Sequence, residues 1–171
     1  YICGRREGVL HGISFTLRRG EVLGVAGLMG SGRTELARAI FGADALDGGR
    51  VFVLGAEQAI ASPRAAIDRG LGFLTEDRKQ QGLVLGRSVQ ENICLPSVGR
   101  FSRYGVMEPA REAAATAQRI ADLRIKTPGP HQRVACLSGG NQQKVVLGKW
   151  LTTEADILIF DEPTRGIDVG A

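Results

Sequence analysis

Three glycines near the start of the chain are spaced in a way that suits the binding of phosphate groups. Gly27, Gly30 and Gly32 follow the apolar run 22–26 and lead into residues 34–40, whose apolar positions have helical spacing. Without Cβ atoms, the backbone N–H groups of such a turn can converge on a polyphosphate at the positive end of the helix dipole. The sequence therefore predicts a buried strand, an anion-binding turn and a helix, in that order. The alternative is a turn of the same shape that binds nothing.

The turn departs at one position from the phosphate-loop pattern, which requires Gly, four residues, Gly, Lys and then Ser or Thr. Ser31 and Thr34 fit the pattern, and Thr34 supplies the hydroxyl that would hold a magnesium ion. Arg33 stands where lysine is expected. Because arginine is a longer, planar fork rather than a compact point charge, we expect phosphate binding but weakened hydrolysis at this site.

Two adjacent carboxylates follow a fully apolar strand near the end of the chain. Asp161 and Glu162 come directly after the predicted strand 157–160. An aspartate in this place can hold Mg²⁺ through water, and a neighbouring glutamate can orient and polarise a water molecule that attacks a terminal phosphate. The alternative is an acidic strand end that faces solvent.

A second set of anion-binding groups is predicted at the start of another helix. Ser138, Gly139 and Gly140 precede the apolar helical residues 145–151, and Ser138 is placed as the N-cap. A hydroxyl, free backbone N–H groups and the helix dipole would all point toward an anion there. A helix that is merely capped by serine is the alternative.

The composition is that of an ordinary globular domain. The 171 residues are 43% hydrophobic and 23% charged, and no stretch approaches the roughly 20 apolar residues that cross a bilayer. Cys3, Cys94 and Cys136 are odd in number and widely spaced, which argues against disulfides and a zinc site and favours a reducing, cytosolic setting. The net charge of +4 is scattered over the sequence, so it favours a solvated surface over a nucleic-acid patch.

The elements that position these groups alternate between strands and helices, except in the middle of the chain. A strand is predicted at 13–17, and Gly42 ends the helix after the glycine turn. Ser62 caps a helix that Pro63 begins. Further expected elements are strands at 51–54 and 71–74, a capping box at Ser88–Glu91 and an amphipathic helix at 108–123 with Ala114, Ala117, Ile120 and Ala121 on its apolar face. No strand is predicted from Asp77 to Lys149, which indicates a helical insertion in an α/β core.

These three motifs occur along the chain as the glycine-rich loop, the segment Leu137–Gln143 and the paired carboxylates. In this chain order they resemble the nucleotide-binding cassette of ABC ATPases, most specifically through Leu137–Gln143. More narrowly, residues 27–36, 76–79 and 161–171 are similar to the second cassette of fused ATPases that drive ribose-, galactose- and xylose-type import. The resemblance implies an α/β fold, the three-layer core of P-loop NTPases, with an inserted helical subdomain. Residues 1–76 and 150–171 would form the ATP-binding core, and residues 77–149 the helical subdomain that ends in the signature motif. The cassette is expected to be incomplete at its C-terminal end.

The resemblance also implies roles for individual residues. Two cassettes would pair head to tail around two ATP molecules, with Ser138, Gly139 and Gly140 closing on the ATP of the partner. The ATP of this chain would lie on the loop of Gly27, Gly30, Ser31, Gly32, Arg33 and Thr34, with Glu162 as the catalytic base. Mg²⁺ would be held by Thr34, Glu76 and Asp161. Asp168 would begin the loop between cassettes. Glu76 replaces a glutamine of the family, and its carboxylate would be repelled by an uncompensated γ-phosphate.

The implied function is that of an ABC-type ATPase with ATP and Mg²⁺ as cofactors, weakly hydrolytic or not hydrolytic in isolation. It would couple cassette closure to the uptake of a monosaccharide. The implied partners are a second cassette, as the preceding half of the same polypeptide, and permease subunits, so that the chain would lie peripherally on the cytoplasmic face of the membrane. The sequence does not indicate which sugar. The alternative is a non-transport ABC ATPase that acts on nucleic acid or the ribosome.

Overall fold

The computed structural model describes residues 4–6 and 10–164, with side chains from residue 10 onward. Cys3, Asp168 and the rest of 165–171, which the resemblance included, lie outside the described residues. The chain divides into two compact units, residues 1–71 and 72–171.

The first unit contains two antiparallel hairpins and two helices. Its elements are β1 (Gly4–Arg6), β2 (Leu10–Ile13), α1 (Arg33–Ile40), β3 (Val51–Val53), β4 (Ala56–Gln58) and α2 (Pro63–Asp68). The strand β1 pairs with β2, and β3 pairs with β4. The prediction of a strand at 51–54 and of the two helices is confirmed within one or two residues.

The core of the first unit lies between β2 and α1. Leu10, Leu36 and Ala39 are buried together, and partly buried apolar side chains pack around them. Positions 36 and 39 lie three residues apart and therefore share one face of α1. This burial fixes the helix whose first turn follows the glycine-rich loop.

The helix α2 is built as its sequence predicts. Ser62 is its N-cap, with Oγ accepting a hydrogen bond of 3.2 Å from the Ala65 N–H, and Pro63 is its first residue. Gly70, just beyond the helix, has a φ angle of 77°, which glycine adopts without strain.

Two of the strand predictions are wrong. The strand β2 ends at Ile13, so the prediction for 13–17 fails beyond its first residue, and residues 14–32 form no strand. In the apolar run 22–26, Val22 is 96% exposed and Val25 52% exposed, so this run is not a buried strand. Apolar composition alone does not make a strand, because a strand also needs a neighbour that pairs with its backbone.

The second unit is mainly helical, with two pairs of short strands. Its first half contains β5 (Leu71–Leu74, of which Leu71 belongs to the first unit), a π-helical turn at Arg78–Gly82, α3 (Val89–Cys94) and a 3-10 segment at Leu95–Phe101. Its second half contains β6 (Ser102–Arg103), β7 (Val106–Met107), α4 (Pro109–Asp122), a 3-10 turn at Val134–Cys136, α5 (Gly139–Thr152) and β8 (Ile157–Phe160).

The strands β5 and β8 pair with one another, and α5 packs against them. A Cβ atom on Gly72 would come within 2.8 Å of Leu158 Cδ2 and 3.2 Å of Trp150 Cε3. Only glycine therefore lets the helix and the neighbouring strand approach β5 this closely. All four residues of β5 are buried, as their apolar run predicts.

The helices of the second unit bury a core between α3 and α5. Val89, Ile93, Val145 and Val146 are each at most 1% exposed. The predicted capping box at the start of α3 is present, because the Ser88 side chain and the Glu91 side chain each bond to the other residue's backbone N–H. No helix among the described residues is long and apolar enough to cross a membrane.

The middle of the chain differs from the prediction in two ways. First, β6 and β7 form a short antiparallel hairpin, because Tyr104 and Gly105 take positive φ angles of 53° and 80° and reverse the chain. Second, the buried residue of α4 is Thr116, which lies 3.6 Å from Cys94 Sγ through its hydroxyl. The alanines expected on the apolar face, Ala114, Ala117 and Ala121, are exposed, since alanine buries too little area to decide which face packs.

Candidate functional site

The glycine-rich loop has the backbone conformation that the sequence indicated. Gly30 and Gly32 have φ angles of 79° and 88°, in the left-handed region that other residues rarely adopt. The Ser31 N–H donates to the Leu28 carbonyl at 3.1 Å, which closes the turn. The strand expected before the loop is absent, whereas the helix expected after it begins at Arg33.

Gly27 holds the loop in its folded-back shape. A Cβ atom on Gly27 would collide with Ser31 Oγ and would lie 3.1 Å from Ser31 Cβ. Any larger residue at this position would therefore displace the Ser31 side chain.

The first turn of α1 has no side-chain cap from its N-cap residue. Gly32 is the N-cap and has no side chain that could accept a hydrogen bond from the N–H groups of this turn. Arg33 and Thr34, the first two helical residues, are partly buried, and Arg33 takes part in an interaction of its own. This end of an eight-residue helix presents donors and the positive end of the dipole.

Three carboxyl groups of the second unit follow adjacent strand ends. The Asp161 N–H donates to the Leu74 carbonyl at 2.9 Å, so the carboxyl ends of β5 and β8 lie side by side. Glu76 follows Leu74 by two residues and therefore leaves the sheet at the same edge as Asp161 and Glu162. Adjacent strand ends of this kind are a common place for ligands in α/β proteins.

Asp161 and Glu162 differ in their surroundings. Asp161 is only 8% exposed, and its Oδ2 has no hydrogen-bond partner among the described residues. Glu162 is exposed, takes part in an interaction and has a φ angle of 43°. A buried oxygen without a donor suits a cation, and a non-glycine residue with positive φ often marks a functional position.

The segment after Glu76 is held by a local cap. Asp77 Oδ1 accepts hydrogen bonds from the N–H groups of Lys79 at 2.9 Å and Gln80 at 3.1 Å. Asp77 thus fixes the start of the π-helical turn, and Glu76 stands immediately before it. Glu76 is partly buried and takes part in an interaction.

The end of the same turn is joined to α5 by a buried lysine. Lys149 is 7% exposed, and its Nζ donates to the Gly82 carbonyl. Burial lowers the pKa of Lys149 from 10.5 to about 8. A Cβ atom on Gly82 would lie 3.2 Å from Val146 Cγ2, so the turn also packs tightly on the helix. No local pattern indicates this contact, because residues 82 and 149 lie far apart in the chain.

The start of α5 is organised by a side chain that the sequence did not single out. Ser138 is the N-cap as predicted, but its hydroxyl does not cap the backbone. Instead, Asn141 Nδ2 donates to Ser138 Oγ at 3.0 Å, and Asn141 Oδ1 accepts from the Lys126 N–H at 2.8 Å. In the sequence, only the position of Asn141 directly after the two glycines could have indicated this contact with Ser138.

A cavity of about 200 Å³ lies between the first turns of α5 and the strand ends. Its lining combines helix residues with the ends of β5 and β8: Leu74, Gly140, Gln143, Lys144, Leu147, Phe160 and Pro163. The first turn of α5 and the strand ends therefore border the same space within the second unit.

The predicted site residues fall into two groups. The loop residues from Gly27 to Thr34 belong to the first unit. The strand-end carboxylates and Ser138, Gly139 and Gly140 belong to the second. Among the described residues, no three His, Cys, Asp or Glu side chains are grouped so that they could hold a metal ion by themselves.

The family model described as ABC transporter matches residues 10–165. The chain is 56% identical over 168 residues to the putative ribose/galactose/methyl galactoside import ATP-binding protein 3 of Burkholderia cenocepacia (strain HI2424), covering 98% of this chain and 33% of that protein. It is 50% identical over 165 residues to the ribose import ATP-binding protein RbsA of Bacillus subtilis (strain 168), covering 96% and 34%. The chain thus spans about a third of the length of these relatives.

Among solved structures, the chain is similar to the dimeric post-hydrolysis state of the ATP-binding cassette MJ0796 bound to ADP and Pi. The TM-score is 0.79 at 20% identity, over 98% of this chain and 74% of that one. A second structure, the cbiO1 protein from Clostridium perfringens, gives a TM-score of 0.74 at 22% identity, over 97% and 65%. These likenesses confirm the predicted α/β fold of P-loop ATPase cassettes.

Proposed function

Because the chain belongs to the ABC transporter family, we propose that it is the ATP-binding cassette of a monosaccharide importer. The observation that carries the proposal is the intact signature Leu137–Gln143, which begins a 14-residue helix with Ser138 as its N-cap. The names of the relatives, which are ribose and galactose import ATP-binding proteins, support sugar as the cargo. They give no support to the alternative in which the chain acts on nucleic acid or the ribosome.

ATP would be bound by two sets of residues that serve two different nucleotides. The phosphates of this chain's own ATP fit the loop of Gly27, Gly30, Ser31, Gly32, Arg33 and Thr34. The positive φ angles of Gly30 and Gly32 give this loop a folded-back conformation of the kind in which backbone N–H groups can converge on an anion. The signature residues Ser138, Gly139 and Gly140 would close on the ATP of a partner cassette.

A magnesium ion fits the donors that this chain offers. Asp161 has a buried Oδ2 without a hydrogen-bond partner among the described residues, and Glu76 leaves the adjacent strand end. These carboxylates, like the Thr34 hydroxyl in the first unit, would offer oxygen, the ligand atom that Mg²⁺ prefers. When bound, the ion would neutralise charge on the β- and γ-phosphates.

Glu162 would act as the catalytic base of the chain's own site. Its exposed carboxylate stands beside Asp161 and could orient and polarise a water molecule in line with the γ-phosphate. Arg33 in place of lysine and Glu76 in place of glutamine both weaken this site. The isolated chain should therefore bind ATP weakly and hydrolyse it slowly or not at all.

The proposed arrangement requires partners. A second cassette, as the other half of a fused ATPase, would supply the facing signature and phosphate loop. Permease subunits would carry the sugar, with the cassette pair on the cytoplasmic face of the membrane. In this arrangement residues 1–76 and 150–171 form the nucleotide-binding core, and residues 77–149 form the helical subdomain that moves with the signature.

The test is ATP-dependent sugar uptake by proteoliposomes that contain the chain with its cassette partner and permease. We expect uptake of a monosaccharide to require ATP and Mg²⁺. Ser138→Arg should abolish uptake, because its bulk and charge block closure on the partner's ATP. Ser14→Arg, which makes the same change at an exposed serine of the first unit, should leave uptake near the wild-type level.

Two results would overturn the proposal. One is the absence of ATP-dependent uptake for ribose, galactose and xylose alike. The other is salt-sensitive binding of the chain to DNA or RNA that ATP modulates, which would instead support the nucleic-acid alternative.

A further inference from the structure

We propose that Asn141 is a positioning residue that turns the Ser138 hydroxyl outward, so that it donates its proton to a phosphate of the partner cassette's ATP. The inference rests on the proposed function, because it assigns a role to a side chain behind the signature serine. Three observations at the start of α5 carry it.

The first observation is that Ser138 does not use its hydroxyl as an N-cap serine usually does. An N-cap oxygen normally accepts from the N–H of the second or third helical residue. No such bond forms at Ser138. The backbone N–H groups of the first turn of α5 are therefore not consumed by their own cap.

The second observation is that a side chain takes the place of those backbone donors. Asn141 Nδ2 donates to Ser138 Oγ at 3.0 Å. A serine hydroxyl has one proton and two lone pairs. Since this bond occupies a lone pair, and no other side-chain hydrogen bond of Ser138 occurs in the described part of the chain, the proton remains available for an acceptor outside the helix.

The third observation is that the orientation of the Asn141 amide is itself fixed. Asn141 Oδ1 accepts from the Lys126 N–H at 2.8 Å. The two ends of an amide differ, so a donor on the oxygen side forces the NH₂ group to face Ser138. Lys126 follows Ile125, which is 5% exposed and donates its N–H to the Ile120 carbonyl at 2.9 Å. The buried chain behind the site thus sets the direction of the hydrogen bonds at its surface.

A linked series of donors follows, from the Lys126 N–H through Asn141 to the Ser138 hydroxyl and then to the bound anion. The proton of Ser138 is thereby placed for a phosphate oxygen before the cassettes close, and a hydroxyl fixed in this way needs no reorganisation when charge develops there. An aspartate at 141 would accept from Lys126 but could not donate to Ser138.

The experiment is a double-mutant cycle on ATP turnover by the transporter reconstituted with its partner cassette and permease. The variants are Ser138→Ala, Asn141→Ala and the combination. We expect Asn141→Ala to lower kcat roughly fivefold, the factor that corresponds to the loss of one neutral hydrogen bond, with little change in KM. In the Ser138→Ala background the same substitution should lower kcat less than about twofold, because the residue through which it acts is gone.

Asn92→Ala is the matched control. Asn92 is also an asparagine held by backbone partners, through the N–H and carbonyl of Val84 and the Ser88 carbonyl, but it does not touch Ser138. Its effect on turnover should be the same with and without Ser138→Ala. A purely structural role for Asn141 would give this additive pattern as well.

The outcomes separate the two proposals. If Ser138→Ala lowers turnover and Asn141→Ala has equal effects in both backgrounds, the positioning role is wrong while the proposed function stands. If Ser138→Ala leaves turnover unchanged, the signature role in the proposed function fails, and the inference fails with it. Hydrogen exchange of the Lys126 amide, which Asn141→Ala should accelerate, reports on the fixed end of the series without reference to activity.

Discussion

Lys149 should make the stability of this chain rise with pH in the alkaline range. Its ammonium is buried between α5 and the π-helical turn, where it donates to the Gly82 carbonyl and lies 6.0 Å from the Trp150 ring centroid. Burial lowers the pKa of this lysine to about 8. The folded state therefore releases the proton at a lower pH than the unfolded state does.

The size of the effect follows from that pKa. The ordinary value of 10.5 lies about 2.5 pH units higher, and each unit corresponds to about 1.4 kcal/mol. The burial of the charged form thus costs about 3 kcal/mol below pH 8. Because the unfolded state binds more protons between pH 8 and 10.5, stability from this group rises with pH over that window, by roughly 1 kcal/mol between pH 7 and 9. The neutral amine of Lys149 still has N–H groups, so it can donate a hydrogen bond to the Gly82 carbonyl above pH 8 as well.

The assay is urea unfolding of the wild type and of Lys149→Met at pH 7 and pH 9. Methionine keeps the length of the side chain without its ionisable group. The wild type should gain roughly 1 kcal/mol of unfolding free energy relative to the variant between the two pH values. Lys79→Met removes an exposed ammonium and controls for the loss of one positive charge. A difference between wild type and Lys149→Met that stays constant from pH 7 to 9, or that falls, would refute the reasoning.

Three further outcomes are expected. Gly27→Ala should lower ATP affinity in equilibrium binding, because its Cβ atom displaces the side chain of Ser31, a predicted phosphate-binding residue. Asn92→Ala should lower the unfolding free energy by about 2 to 3 kcal/mol in urea titrations, since Asn92 is 1% exposed and its loss leaves buried backbone groups without partners. In reconstituted transport, Ser138→Arg should abolish uptake while Glu162→Gln only reduces it, and equal damage from both would contradict the asymmetry between the two sites.

The local features of the fold could be predicted from the sequence because short-range chemistry determines them. The capping box of α3 and the Ser62 cap of α2 both form as their residues predict. Each depends on groups three residues apart, so the pattern in the sequence contains the whole interaction. The positive φ angles of Gly30 and Gly32 belong to the same class.

The features that failed depend on partners far away in the chain. The run 22–26 is as apolar as a buried strand but is exposed here, because only pairing and packing make such a run a strand. Likewise, Thr116 rather than an alanine is the buried residue of α4, since it meets Cys94 of α3. The contact of Lys149 with Gly82 spans 67 residues, and no local pattern could have indicated it.

The two segments predicted to bind anions orient their donors in different ways, and this difference bears on the expected effect of Arg33. At the signature, a side-chain series through Asn141 directs the Ser138 hydroxyl. In the glycine-rich loop, the groups that would face phosphate are backbone N–H donors, and their directions depend on φ angles that only glycine adopts easily. An arginine in place of lysine changes neither of those angles. We therefore expect Arg33 to preserve phosphate binding and to alter only the placement of one positive charge, which is the term that matters when the γ-phosphate leaves.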